Sequence, residues 1–135
     1  LIFKKKVVFR AFSIYLILGL FIFPVFHQGG SIGYLLTPNF GYLLGLYPLI
    51  KIIDNLNNRN KINVRNFLKN GFIAIGAMHL TGIFYNFIQI IFYNQYNLFL
   101  YNLGKYSLGK IGYHLLMLFP LLLLIKPIER LKRSK

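Results

Sequence analysis

Long apolar runs dominate the chain and are separated by short polar segments. A bilayer-spanning helix needs about 20 mainly apolar residues, and four runs approach that length, at about residues 7–26, 40–53, 67–92 and 108–125. The second run is short on its own but can be extended backwards through the preceding loop. Together the runs leave no room for a soluble domain. The pattern predicts an all-α, polytopic membrane helical bundle of four spans, with residues 1–135 forming one integral membrane domain.

Composition supports this membrane assignment. Hydrophobic residues make up 56% of the chain and charged residues 13%, whereas soluble domains have about 45–50% apolar and about 25% charged residues. A net charge of +14 could indicate a nucleic-acid-binding protein, but the chain has too few polar residues to cover a water-soluble core. The apolar excess also excludes disorder. We therefore expect the lipid bilayer as a partner and no nucleic acid.

Basic residues are distributed unevenly among the segments that flank the four runs. Fourteen of the sixteen Lys and Arg residues lie at the N-terminus, in residues 51–69, or in residues 126–135, and only Lys105 and Lys110 lie elsewhere. Cytoplasmic segments of membrane proteins carry such an excess of Lys and Arg. We therefore expect an integral protein of the plasma (inner) membrane with both termini and the Asn-rich link before the third run in the cytoplasm.

The first run follows a basic start, which is also typical of a secretory signal peptide. No small-x-small cleavage pattern follows Phe26, so we expect a retained span. The chain begins with Leu1 rather than Met, as expected for a fragment or for an unusual start codon.

Groups that could carry catalysis or bind metal are scarce. Only Asp54 and Glu129 are acidic, and there is no Cys. A paired-carboxylate active site or a Ca²⁺ or Mg²⁺ site would have to use this one pair of acids, and a thiolate site has no ligand. Both acids are most simply counter-charges within the basic clusters. The three histidines, His27, His79 and His114, lack zinc-site spacing. We therefore expect no enzyme activity, no cofactor and no metal. Four Tyr residues near loop ends are interpreted as interfacial anchors: Tyr93, Tyr96, Tyr101 and Tyr106.

The third run carries a stripe of small and polar residues. At 100° per residue, seven positions fall within about 140° of one helix face. Buried amides and imidazoles are unfavourable in hydrocarbon unless they are paired, so this face must meet other helices or a cavity. Hydrogen bonding between helices and a ligand pocket both remain open. The seven residues are Gly71, Gly76, His79, Gly82, Asn86, Gln89 and Tyr93.

Glycines crowd the segment from Pro24 to Pro48, PVFHQGGSIGYLLTPNFGYLLGLYP. Glycine permits φ > 0 and close backbone approach, and Gly41 and Gly45 form a GxxxG face on which another helix can pack. One interpretation is a tight connection with a packing seam. The other is a loop, residues 28–37, folded back as a lid over a pocket that faces outwards.

The same segment resembles the BioY family, the biotin-binding S components of energy-coupling-factor vitamin transporters. The resemblance extends from Tyr15 to Leu46 and rests on a fixed order of matched positions: Gly19, Pro24, Val25, Phe26, Gly29, Gly30, Gly33, Leu35, Leu36, Pro38, Gly41, Tyr42, Leu43, Leu44 and Gly45.

The resemblance implies six helices, a Gly-rich loop that closes over a bound vitamin, and a partner T component with two ATPase subunits. If Pro24-Val25-Phe26 lies at the end of the third helix, as in the family, two N-terminal helices are missing and the four spans are the last four of six. Together, the loop and the third-run stripe give the candidate ligand-binding residues: Gly29, Gly30, Gly33, Tyr42, His79, Asn86 and Gln89.

One family pattern is not matched. Family members resemble one another in a Pro-Gly-Asp-x-x-Lys sequence in the last span, and aligning Pro120 with that Pro puts Leu121, Leu122 and Ile125 where Gly, Asp and Lys are expected. We therefore expect this chain alone to bind biotin no more tightly than in the micromolar range. Two functions remain: the substrate-binding subunit of a vitamin (biotin-type) transporter, or a truncated or degenerate BioY-like membrane protein with a structural role and no transport activity.

Overall fold

The computed structural model describes residues 4–26, 29–59, 63–94, 96–124 and 127. His27, Lys126 and Glu129 lie outside these residues. The described chain forms seven α-helices and no β-strand, which confirms the all-α class. A 3-10 helix spans Ile32–Leu36, and a π-helical segment spans Leu103–Leu108. The α-helices are α1 (Lys5–Phe21), α2 (Pro38–Leu44), α3 (Leu46–Arg59), α4 (Val64–Tyr93), α5 (Leu98–Asn102), α6 (Gly109–Leu116) and α7 (Leu118–Leu122).

The helix α4 is the centre of the bundle, and α2, α3, α5, α6 and α7 all pack against it. It begins where the Asn63 side chain accepts a hydrogen bond from the backbone N–H of Asn66 (2.8 Å), a standard N-cap. It ends at Asn94, whose φ of 54° is left-handed. In the described part of the chain, only α4 is both long and apolar enough to cross a membrane by itself. It contains the predicted third span, and the count of four spans remains a prediction.

The first run of the sequence forms α1 and then a tight return of the chain. Pro24 disfavours continuation of the helix, and α1 ends at Phe21. The Phe26 ring then lies directly against Gly19, where a side chain would overlap it. A hydrogen bond from Ser31 N–H to the Gly19 carbonyl (3.1 Å) fixes the loop on this end of α1.

The helices α2 and α3 follow one another with only Gly45 between them. Pro38 occupies the first turn of α2, where its missing N–H has no helical partner to lose. Gly41 lies against Tyr85 and Gly45 lies against Met78, both on α4, and a Cβ at either glycine would overlap these residues. The predicted GxxxG packing face is therefore confirmed.

Helical structure in the last part of the chain begins at Leu98, well before residue 108, where the predicted fourth span starts. The segment between the predicted third and fourth spans contains Asn102 and Ser107. Both are buried and hydrogen-bond to polar side chains of α4. Pairing with α4 thus allows these two polar side chains to be buried in a helical segment.

At one end of the bundle, Lys5 forms an ion pair with Asp54 (Nζ to Oδ2, 3.8 Å), which confirms Asp54 as a counter-charge of the N-terminal basic cluster. The described connections, residues 22–26 and 29–37 and residues 94, 96 and 97, lie at the other end, which we call the loop end. Large apolar side chains such as Leu80, Phe84 and Phe92 are mostly exposed on α4. Such a surface suits contact with lipid.

Candidate functional site

A cavity of about 240 Å³, which we call the Lys110 cavity, lies between α2, α4 and α6. It is slightly smaller than typical small-molecule sites, which measure about 300–1,000 Å³. Its wall combines aromatic rings with a few polar groups, as such sites usually do. The lining residues are Tyr34, Asn39, Tyr42, Leu43, Leu46, Met78, Tyr106, Lys110 and His114.

The Lys110 cavity has a positive electrostatic character. The Lys110 ammonium lies 5.4 Å from the centre of the Tyr106 ring, and the Lys105 ammonium lies 5.3 Å from the same ring. No carboxylate among the described residues lines the cavity, and the described acid, Asp54, is paired with Lys5. The cavity is therefore suited to an anionic group.

A second cavity, of about 210 Å³, lies nearer the loop end, and we call it the Asn86 cavity. Asn86 is only 1% exposed. Its Oδ1 accepts a hydrogen bond from Asn102 Nδ2 (3.1 Å), while its Nδ2 has no partner among the described residues. A buried donor without a partner is unfavourable, so a ligand acceptor in this cavity would stabilise it. The lining residues are Leu36, Pro38, Asn86, Gln89, Ile90, Tyr93, Leu98, Asn102 and Tyr106.

Tyr106 belongs to the wall of both cavities. The sequence interpretation of Tyr106 as an interfacial anchor is therefore incomplete, because the residue is half-buried and lines both cavities. Tyr96 and Tyr101 are mostly exposed, as interfacial anchors should be.

A chain of hydrogen bonds lies beside the Lys110 cavity. His79 Nδ1 is 2.9 Å from Ser107 Oγ, and His79 Nε2 is 3.0 Å from His114 Nδ1. His79 is buried behind the wall and contacts Tyr42, with 5.6 Å between the ring centres. His114 itself lines the cavity. The described residues contain no group of three or more potential His, Cys, Asp or Glu metal ligands.

The loop that was predicted to form a lid has two parts with different contacts. In the first part, Gly29 has a φ of +97°, which glycine readily adopts, and a Cβ on Gly30 would approach the carbonyl oxygens of Gly19 and Phe23 to 2.5 Å. Gly30 and Gly33 line a separate groove at the end of α1. These three glycines therefore do not line either cavity.

The second part of the loop forms the cavity walls. Tyr34 lines the Lys110 cavity and Leu36 lines the Asn86 cavity. The carbonyl of Leu35 accepts hydrogen bonds from the Tyr85 hydroxyl and from Gln89 Nε2 (3.1 Å). The 3-10 helix is therefore held on α4 above both cavities.

The predicted ligand-binding residues thus lie in different places. Tyr42 lines the Lys110 cavity, Asn86 and Gln89 line the Asn86 cavity, and His79 lies behind the first of these. Sequence reasoning missed many residues of these walls or their supports, among them Tyr34, Asn102, Tyr106, Lys110 and His114. The one signal available was that Lys110 is one of two Lys residues outside the basic clusters.

Comparison with known proteins gives one match. The model of the BioY family matches residues 1–121. No curated protein and no solved structure matches the chain significantly. The family match spans most of the chain and includes every residue that lines the two cavities. The chain therefore belongs to the BioY family, the membrane-integral S components of energy-coupling-factor biotin transporters.

Proposed function

We propose that this chain is the membrane-embedded substrate-binding subunit of a vitamin uptake transporter, and that its ligand is biotin or a similar vitamin with a carboxylate. The main support for the proposal is the Lys110 cavity. It places the Lys110 ammonium beside aromatic side chains, and no carboxylate is among its described lining residues. Membership of the BioY family supports the same class of ligand.

The two cavities match the two polar ends of such a molecule. A carboxylate needs a cation, which Lys110 supplies, and a ureido ring needs both donors and acceptors. Asn86 Nδ2 is a buried donor without a partner among the described residues, and the Gln89 side chain lies in the same wall. Tyr106 lines both cavities, and in this proposal a change in its rotamer joins them into one elongated site.

The charge distribution supports the direction of binding. The basic termini and the basic link indicate a cytoplasmic side, so the loop end and both cavities would face outwards. In this proposal the 3-10 helix over Ile32–Leu36 closes on the captured vitamin. The T component and the ATPase subunits, on the cytoplasmic side, then reorient the loaded subunit. Among the described residues, the two cavities offer no carboxylate pair for acid–base catalysis, which favours binding over enzymatic activity.

Biotin binding to the full chain in lipid nanodiscs tests this function. We expect a Kd in the micromolar range, about −8 kcal/mol or weaker. Lys110→Gln should weaken binding at least tenfold, about 1.4 kcal/mol, because the carboxylate loses its cation. The matched control is Lys105→Gln, which removes the other charge over the Tyr106 ring but does not line the cavity; it should change the Kd less than threefold.

The methyl ester of biotin provides a second control. It lacks the carboxylate charge, so Lys110→Gln should leave its affinity unchanged. Equal losses for biotin and its ester, or for Lys105→Gln and Lys110→Gln, would contradict the assigned role of Lys110. Absence of biotin binding, and of biotin uptake with the T component and ATPase subunits supplied, would favour a degenerate family member with a structural role.

A further inference from the structure

We propose that His79 and His114 form a site for one shared proton, and that this proton is taken up together with the anionic ligand of the Lys110 cavity. The inference rests on the proposed function, because the bound carboxylate supplies the negative charge. The inference is supported by an observation that the proposed function does not use, namely the hydrogen-bond chain Ser107–His79–His114.

The contact between the two imidazoles limits the number of protons that they can hold. His79 Nε2 and His114 Nδ1 are 3.0 Å apart, so one nitrogen must donate and the other must accept. A neutral pair satisfies this requirement, and so does a pair with one additional proton. If both rings were cationic, both nitrogens would be donors and the contact would break. The pair therefore holds no more than one additional proton.

The positive charge of the additional proton lies next to the ligand. Both ring nitrogens of His79 are engaged, and this side chain is only 3% exposed. His114 lines the cavity, and its Nε2 has no hydrogen bond among the described residues. In the protonated pair, His114 Nδ1–H donates to His79 Nε2, and His79 Nδ1–H donates to Ser107 Oγ. The cationic ring is then His114, in the wall that contacts the ligand.

The groups around the histidine pair make uptake of the additional proton depend on an anion in the cavity. On α6, Lys110 is cationic and Tyr113 lies 6.2 Å from His114 between ring centres. Tyr42 comes from α2, and Tyr106 comes from the π-helical segment. The sides formed by α3 and α7 are apolar, with Leu46, Leu118 and Leu121 near His114. With no described carboxylate in this environment, Lys110 opposes protonation until an anion occupies the cavity.

Two consequences follow by linkage. Affinity for a carboxylate ligand should rise as the pH falls, by no more than about tenfold per pH unit, because one proton is bound. A neutral ligand should show no such dependence. The histidine pair therefore makes the cavity more selective for anions than Lys110 alone would make it.

Calorimetry of biotin binding in two buffers of different ionisation enthalpy measures the proton uptake. At pH 6.5 the full chain in nanodiscs should take up a fraction of one proton with biotin and none with biotin methyl ester. His114→Gln should abolish the uptake, because it removes the ring that becomes cationic. His79→Gln should reduce it, because His114 then loses the imidazole that shares its proton. The control is His27→Gln, which changes the one histidine outside the pair. This variant should retain the proton uptake. Biotin binding without proton uptake, or uptake that persists in His114→Gln, would overturn the proposal.

A ligand-free measurement separates this inference from the proposed function. In the His27→Gln background only the pair remains, and ¹⁵N-histidine NMR between pH 8 and pH 5 can follow its protonation. A shared site takes up at most one proton in this range. Two rings that each become fully protonated would overturn the shared site whether or not biotin binds. Absence of biotin binding together with single-proton behaviour would overturn the proposed function and the ligand coupling, while supporting the shared-proton site.

Discussion

Asn102 donates a hydrogen bond from its side-chain amide to Oδ1 of Asn86 over 3.1 Å, and this contact ties the last helical region of the chain to α4. The Nδ2 of Asn86 has no partner among the described residues, although the residue is almost fully buried. The position of Asn86 is compatible with both roles that the sequence left open. Its acceptor atom joins two helices, and the residue lines a cavity.

Replacing Asn86 with Leu separates these roles. Leu is well accepted in an apolar environment, but it can neither accept from Asn102 nor donate to a ligand. We expect loss of biotin binding and a lower melting temperature in detergent, corresponding to about 0.6 kcal/mol for one interhelical hydrogen bond. Calorimetry and thermal unfolding measure the two effects.

The matched control is Ile83→Val, on the same helix and one turn away. It removes one methylene from a half-buried apolar side chain and should change neither binding nor melting temperature appreciably. A lower melting temperature with unchanged binding for Asn86→Leu would remove Asn86 from the proposed site.

Gly30→Ala should destabilise the loop. The new methyl group would approach the backbone oxygens of Gly19 and Phe23 to 2.5 Å, so the chain would have to move. We expect a loss of about 1–3 kcal/mol, the usual range for overpacking, seen as a lower melting temperature. Gly33→Ala is the control, because a Cβ there meets only the Ser31 hydroxyl oxygen at 3.4 Å. Equal stability of the two variants would contradict the close packing of the loop on α1.

Gly45→Ala tests the seam between α2, α3 and α4. A methyl group at this position would lie 2.5 Å from the Met78 carbonyl oxygen, and the helices would have to separate. Gly76→Ala is the control on α4, where nothing lies within 4 Å of the new methyl group. Gly45→Ala should lower the melting temperature, whereas Gly76→Ala should stabilise the helix by up to about 1 kcal/mol. The opposite order would be incompatible with the packing described.

The membrane orientation can be tested by cysteine labelling, because the chain has no natural Cys. Asn57→Cys and Ser134→Cys should be shielded from an impermeant thiol reagent in intact cells, since the basic segments are expected in the cytoplasm. Ser31→Cys, at an exposed position of the loop end, should be labelled. Labelling at residue 57 but not at residue 31 would reverse the orientation and place both cavities on the cytoplasmic side.

Local features of the sequence were enough to predict much of the architecture. The apolar runs predicted the helical class, and the third run predicted a span that α4 contains. Gly41 and Gly45 predicted a close helix contact because the absence of a side chain is itself a steric property. Pairing of Asp54 with a basic cluster was also predictable, since nearly every other charged residue is basic.

The sequence by itself thus determined that the apolar runs form helices and where these helices can approach closely, because apolar periodicity and glycine sterics act through neighbouring residues. Only the tertiary structure decided which polar groups meet. His79 and His114 are 35 residues apart in the sequence and 3.0 Å apart across two helices, and Lys110 reaches a cavity wall built by α2, α4 and α6. In an apolar bundle each buried polar group is most stable with a partner, and the register in which the helices pack sets which partner lies within reach.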